Sequence, residues 1–224
     1  MINPPTNPRV RSVARRAVLT VNTPVAKRRL RNAIADAPRP IRLEIGGLVD
    51  RPGWLVTNVN AVTKNYLDAT GPWPFEDGAL EVVYADNMIE HVPLEAGRAM
   101  FAEALRCLRP GGVIRLVTPD LRKHVELYLA GQSSVEGDIA AHYRSLGLTV
   151  EHPTDLVRVP VACFDHHAGY VYDADTLAHE LLATGFEDAK EWPMAESGHP
   201  ALVGLDKRHG EGGAQMAVEA VKAS

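Results

Sequence analysis

The apolar and polar positions change period most sharply between residues 76 and 120. The run at 80–85, Leu-Glu-Val-Val-Tyr-Ala, has the character of a buried strand, and Asp86 and Asn87 follow where it would end. Pro93 then opens an amphipathic helix whose apolar positions include Ala96, Met100, Ala104, Leu105 and Leu108. Pro110, Gly111 and Gly112 are expected to stop that helix, and residues 113–117 form a second buried strand. The unit is strand–helix–strand, with polar groups at the ends of both strands. Open parallel α/β sheets bind ligands in the crevice beyond such ends.

Upstream, the first strand covers 41–45 and ends at Gly46-Gly47, and a second covers 54–59. A parallel crossover with its helix takes about a dozen residues, more than the stretch 46–53 offers. The first helix must therefore be reduced to a turn, and 60–66 is also too short for one. Downstream, 131–168 has no clean period and contains Gly137, Gly147 and Pro153, which predicts short helices forming a lid. A helix starts at Asp173 or Asp175, runs through Thr184 and stops at Gly185. Residues 186–192 form the next strand, and 216–221 the last, antiparallel and inserted beside it. Near the start, 24–35 reads as a helix with Thr23 as N-cap and Pro24 in first position. The organisation expected is a basic N-terminal arm and helix over 1–36 and one domain over 37–222.

A resemblance can now be named. Asp77-Gly78, Val82-Val83-Tyr84, Glu90-His91-Val92 and Leu108-Arg109-Pro110-Gly111-Gly112 together resemble the second half of a class I S-adenosylmethionine-dependent methyltransferase. Gly53-Trp54, Trp73-Pro74-Phe75, Thr118-Pro119-Asp120 and the segment from Tyr172 to Leu177 extend the likeness. Ser197-Gly198-His199-Pro200, Gly204-Leu205 and Arg208-His209 are similar to a bacterial type 11-like subgroup associated with glycan and polysaccharide assembly. The resemblance implies a Rossmann-like, mostly parallel α/β sheet with an antiparallel last strand, shortened first-half helices and a lid insertion after the family's fifth strand. The implied cofactor is S-adenosylmethionine, with S-adenosylhomocysteine as product. The implied reaction is O-methylation of a sugar or glycan intermediate by base-assisted in-line methyl transfer.

Composition agrees with a soluble, cytoplasmic enzyme: 224 residues suit one α/β domain, and no apolar run is long enough to cross a membrane. Cys107 and Cys163 lack metal-ligand spacing and read as free thiols. The net charge of −4 argues against a nucleic-acid binder, but the charge is uneven. Arg9, Arg11, Arg15, Arg16, Lys27, Arg28, Arg29 and Arg31 all precede the first acid, Asp36. This arm touches an anionic partner, such as a phosphorylated carrier or a membrane surface, or is a weak targeting sequence without the apolar segment and cleavage site of a secretory signal, or is a solvated tail and surface helix. A homodimer is expected, because shortened helices leave apolar sheet to cover.

The family's cofactor residues carry over one by one. Glu44, Gly46 and Gly47 stand at the acid and glycine-rich loop after the first strand, where glycine lets the backbone approach the methionine part. Leu48 replaces a further glycine. Asn58 stands at the acid that binds the ribose hydroxyls; an amide accepts from one and donates to the other, with less strength than a carboxylate. Asp68 and Ala69 match the adenine contact, and Asp86, Asn87 and Met88 line the cleft. Methyl transfer to a hydroxyl needs a positioned acceptor and a base. His91, Asp120, His166 and His167 are the candidates, with helix capping the competing role for Asp120. His199 and His209 are candidates for the acceptor rim. Asp165-His166-His167 is not expected to bind one metal, because adjacent histidines in extended chain diverge. Other readings keep the chemistry but take a small molecule, protein or RNA as acceptor, or keep the fold as a non-catalytic scaffold.

Overall fold

The computed structural model describes residues 8–206 and 213–224, and the side chains from residue 18 onward. The expectations for residues 1–7, for the arginine side chains at 9, 11, 15 and 16, and for Arg208 and His209 lie outside the described part.

Six strands form one sheet in the order β2-β1-β3-β4-β6-β5. They are β1 (Ile41–Ile45), β2 (Leu55–Thr57), β3 (Leu80–Asp86), β4 (Leu108–Pro119), β5 (Phe186–Trp192) and β6 (Gln215–Lys222). β1 pairs in parallel with β2 and β3, and β3 with β4, while β6 runs antiparallel to both β4 and β5. The strands read as continuous apolar runs because both faces are covered. On one face Val83, Ala85, Ile114, Leu116, Met216 and Val218 join the main core. That core is closed by α1 (Pro8–Asp36), α2 (Leu94–Cys107) and α7 (Ala174–Thr184). On the other, Val82, Tyr84, Val113, Val117 and Ala217 meet Trp54, Met194, Leu202 and Leu205. Those four come from connections, so loops do there what crossover helices do elsewhere.

Arg115 points into this loop-covered face and is fully buried. Its Nε and Nη2 each donate to Asp206 at 3.0 Å, and Nη1 donates to Glu219 Oε1 at 2.5 Å and to the Glu196 carbonyl at 2.9 Å. This charge cluster ties residues 193–206 to the sheet.

Two expected boundaries need correction. α1 runs through Pro24 instead of starting there. Pro24 forgoes one backbone bond, but tertiary contacts hold the turns on both sides. Asn22 Nδ2 donates to the carbonyls of Ala61 and Thr63, and Ala26, Leu30 and Ile34 are buried. The second correction concerns Pro110-Gly111-Gly112, which does not end a helix. α2 ends at Cys107, and β4 starts at once with Leu108 opposite Leu80. The next matched pair is Val82 with Val113, so residues 109–112 bulge out. A Cβ at Gly112 would lie 2.9 Å from the Arg109 carbonyl oxygen and 3.1 Å from that of Glu81. Gly112 is there because two backbones pass too closely for a side chain.

Residues 46–54 and 58–66 contain no helix. What would be a further strand beyond β2 is a single parallel bridge, Asn58 to Tyr66. Residues 131–168 hold α4 (Gln132–Val135), α5 (Asp138–Ser145) and α6 (Pro153–Ala162), with their own small core of Val135, Ile139, Tyr143, Leu156 and Val159. Among the described residues no helix is long and apolar enough to cross a membrane.

Candidate functional site

The chain leaves β1 toward β2 on one side and returns to β3 on the other, which opens a crevice at the carboxyl ends of β1 and β3. Gly46 forms one wall. It has φ +80°, and a Cβ there would press on Met88 Cγ at 3.0 Å, so only glycine suits both backbone and space. Asn87 and Met88 form the other wall. Asn87 adopts φ +47°, its N–H donates to the Val117 carbonyl at 2.9 Å, and its Oδ1 is buried with no hydrogen-bond partner among the described residues. A buried acceptor without a donor at the end of a central strand is where a ligand donor belongs. Asp86 also lies here and accepts from Tyr84 Oη at 3.3 Å.

Three expected contacts are turned inward. Glu44 is buried, and its carboxylate is held by Arg51 Nε at 2.7 Å. Gly47 lies against Glu44, at 2.9 Å from where its Cβ would be. Asn58 Nδ2 donates to the carbonyls of Gly46 at 2.8 Å and Gly47 at 3.1 Å, and its Oδ1 accepts from the Asn60 N–H at 2.9 Å. Carbonyls need a donor and an N–H needs an acceptor, so this network fixes the amide orientation. Asn58 therefore stitches the glycine turn to the end of β2. Restoring the family's acid would set a carboxylate against two carbonyl oxygens. Asn58→Asp is expected to lower stability by about 1–3 kcal/mol in chemical denaturation; unchanged stability would show that the loop does not depend on this amide.

Asp68 is exposed, and its Oδ1 accepts from both the N–H (3.0 Å) and the hydroxyl (2.7 Å) of Thr70. Ala69 is buried, and its carbonyl accepts from Trp73 Nε1 at 3.0 Å. The turn is thereby rigid.

Below the lid lies a cavity of about 250 Å³ lined by Asn87, Glu90, His91, Tyr143, Phe164 and His166 among others. A depression of about 910 Å³ is larger, but it sits among Arg39, Arg42, Pro52, Trp54 and Glu81, at the opposite ends of the strands. Glu90 and His91 belong to a 3-10 turn, Ile89–His91, directly after β3. Glu90 is fully buried and its Oε2 accepts from Thr118 Oγ1 at 3.0 Å. His166 is buried, its Nδ1 lies 2.8 Å from the Pro160 carbonyl, and its ring meets that of His91 edge-on at 4.5 Å. Partial desolvation, reinforced by His166, lowers the His91 pKa although the residue is exposed overall.

The remaining candidates fall elsewhere. His167 is exposed. Asp120 is buried, but its Oδ1 accepts from the Arg122 N–H at 2.9 Å as the N-cap of α3 (Leu121–Leu129). Burial raises its pKa, opposed by Lys123. His199 is not on the acceptor rim: its Nε2 lies 3.8 Å from Glu81, near the start of β3 and away from the crevice. In the sequence Glu90 stands only as part of the Glu90-His91-Val92 motif. Its signal was an acid between apolar Ile89 and Val92, a position that folding buries.

Residues 56–116 match a family model described as a methyltransferase domain. No curated protein matches the chain. Among solved structures it is similar to the CurJ carbon methyltransferase, at 14% identity over 89% of this chain and 54% of that one, with TM-score 0.48. It is also similar to a SAM-dependent methyltransferase, possible histamine N-methyltransferase, from Thermotoga maritima, at 14% identity over 87% of each chain and TM-score 0.46. A third is phosphoethanolamine N-methyltransferase 2 from Haemonchus contortus in complex with S-adenosyl-L-methionine, at 14% identity over 88% of this chain and 52% of that one, TM-score 0.46. The chain spans about half the length of the first and third, 54% and 52%. The sheet itself is mostly parallel, with a reversed β6 between β4 and β5.

Proposed function

We propose that this chain, built on the class I methyltransferase fold, is an S-adenosylmethionine-dependent methyltransferase whose acceptor is a hydroxyl of a sugar or glycan intermediate. The observation that carries the reading is the crevice between β1 and β3, where Gly46 at φ +80° faces Met88 and the buried, unsatisfied Oδ1 of Asn87. It lies at the switch in strand order, within a chain whose residues 56–116 match the methyltransferase domain.

The residues present fit the cofactor. Gly46 gives its methionine part close backbone approach, and Asn87 Oδ1 offers an acceptor. Asp68 and Ala69 would hold the adenine edge. Asn58 Oδ1 keeps a second lone pair for one ribose hydroxyl. When bound, S-adenosylmethionine supplies an electrophilic methyl group on sulfur. The chain's part is to bring the acceptor oxygen to that carbon in a dry slot and take its proton. The lid cavity would be the slot, and His91, its pKa lowered by partial desolvation, would accept the proton. The inward-turned Glu44 and Asn58 favour a second reading, a scaffold that retains the fold without the cofactor.

Calorimetric titration with S-adenosylhomocysteine separates the two. Micromolar binding is expected, followed by methyl incorporation from labelled donor into a sugar hydroxyl in an acceptor screen. Asp68→Ala should weaken that binding at least about tenfold, the scale of one lost hydrogen bond to a charged group. No binding to folded protein would leave the scaffold reading standing, and equal affinity in the variant would remove Asp68 from the site.

A further inference from the structure

We infer that Glu90, His91 and His166 form a binding site for one divalent transition-metal ion, open toward the lid cavity. One potential ligand atom from each residue lies within 4.8 Å of the others. His166 Nε2 stands 3.9 Å from Glu90 Oε1. That is too long for a hydrogen bond. It is within about half an ångström of the spacing of two atoms that share a tetrahedral ion: with metal–nitrogen and metal–oxygen distances of about 2.0–2.2 Å, such atoms sit about 3.4 Å apart. The widest separation, up to 4.8 Å, needs a closure of about 1.4 Å. His91, exposed at the end of its turn, is the side chain that would supply it.

The partner of Nδ1 fixes which ring nitrogen of His166 is open to a ligand. Nδ1 faces the Pro160 carbonyl at 2.8 Å, and a carbonyl can only accept, so Nδ1 carries the hydrogen. Nε2, the nitrogen left for a ligand, is the one that faces Glu90 Oε1. The surrounding contacts are those that orient metal ligands: a carbonyl fixes the tautomer of His166, and Thr118 Oγ1 holds the second oxygen of Glu90. Adjacent residues in a 3-10 turn project about 120° apart, so Glu90 and His91 can approach one ion from two directions. His166 supplies the third. His167 takes no part, being exposed. The earlier doubt about a metal concerned neighbours in sequence; the ligands come together only through the fold.

Two imidazoles and one carboxylate on one side of an ion leave positions open on the other. Nitrogen donors favour zinc, cobalt or iron over magnesium or calcium, which prefer oxygen ligands. The open side faces the cavity, where a hydroxyl of the acceptor would coordinate and become more acidic; with the ion bound, His91 is a ligand instead of the base, and the hydroxyl proton would leave to solvent. That role rests on the methyltransferase reading; the site itself does not.

The test uses untagged full-length protein, stripped with chelator and titrated with zinc chloride, and with cobalt chloride followed by its visible absorption. One equivalent per chain with Kd below about 10 μM is expected, with His91→Ala and His166→Ala each weakening it at least tenfold. His167→Ala should stay within about twofold, which separates this site from scattered surface histidines. His91 is exposed, so its variant should fold even if the buried substitution does not. Absence of binding, or affinity unchanged in both variants, overturns the site. S-adenosylhomocysteine titration of the same preparation reads the other proposal separately. Nucleoside binding without metal binding rejects the ion alone, and metal binding without nucleoside binding upholds the ion while rejecting the methyltransferase reading.

Discussion

Arg115→Met is expected to destabilise the protein by about 3–5 kcal/mol, the range for removing one partner of a buried ion pair. The size follows from what remains. Asp206 and Glu219 are both buried, and the guanidinium is the cation between them. Without it, two carboxylates stay in a desolvated layer. The Glu196 carbonyl loses its donor as well. Residues 193–206 would lift from the sheet, exposing Met194, Leu202 and Leu205. Urea unfolding at neutral pH measures the loss. Arg115→Met combined with Asp206→Asn and Glu219→Gln should recover at least half, because neutral groups carry no such desolvation cost. A loss of less than about 1 kcal/mol in the single variant would mean that water reaches the cluster and screens it.

Gly169→Ala is the second large effect. Gly169 follows the 3-10 turn His166–Ala168 and has φ −102°, so its backbone would suit any residue. Space is what excludes one. A Cβ there would lie 2.0 Å from the Glu90 carbonyl oxygen and 2.6 Å from the His91 carbonyl carbon. Both are backbone and cannot swing aside. Tyr170 N–H donates to the Val92 carbonyl at 3.1 Å, so the two segments are laced together at this crossing. One methyl group must push them apart, and with them His166 from Glu90. The expected cost is about 3 kcal/mol or more, the upper end for overpacking. Gly71→Ala is the control: its nearest neighbour is the Asp68 carbonyl oxygen at 4.0 Å, and its change should stay within about 1 kcal/mol. Thermal unfolding compares the two. Equal melting temperatures for Gly169→Ala and the parent would show that the segments can separate freely.

Much of the second half could be read along the chain. Strand β3, helix α2 and helix α7 with its Asp173 cap and Gly185 stop lie close to where period and punctuation put them. β6 also lies where its alternation put it, inserted between β4 and β5. These features are local, set by the spacing of apolar residues and by backbone preferences at the ends. The N-terminal helix was misread for the complementary reason. Pro24 is a local stop signal, and Asn22 overrides it through carbonyls some forty residues away.

The site divides in the same way. Gly46, Asn87 and Met88 follow strand ends, so the pattern that locates the strands also locates them at the crevice. What Asn58 and Glu44 bond to is not in the pattern. Asn58 faces two carbonyls because β2 lies beside β1, and Glu44 meets Arg51 because the connection folds back. The cluster of Glu90, His91 and His166 is the clearest case. Seventy-five residues separate its two halves, a distance that periodicity does not bridge. The chain by itself determined which segments become strands and helices, because each obeys the geometry of its own backbone. Only the tertiary structure decided which side chains share a cavity, because that depends on where the lid returns and on the crossing at Gly169 that admits no side chain.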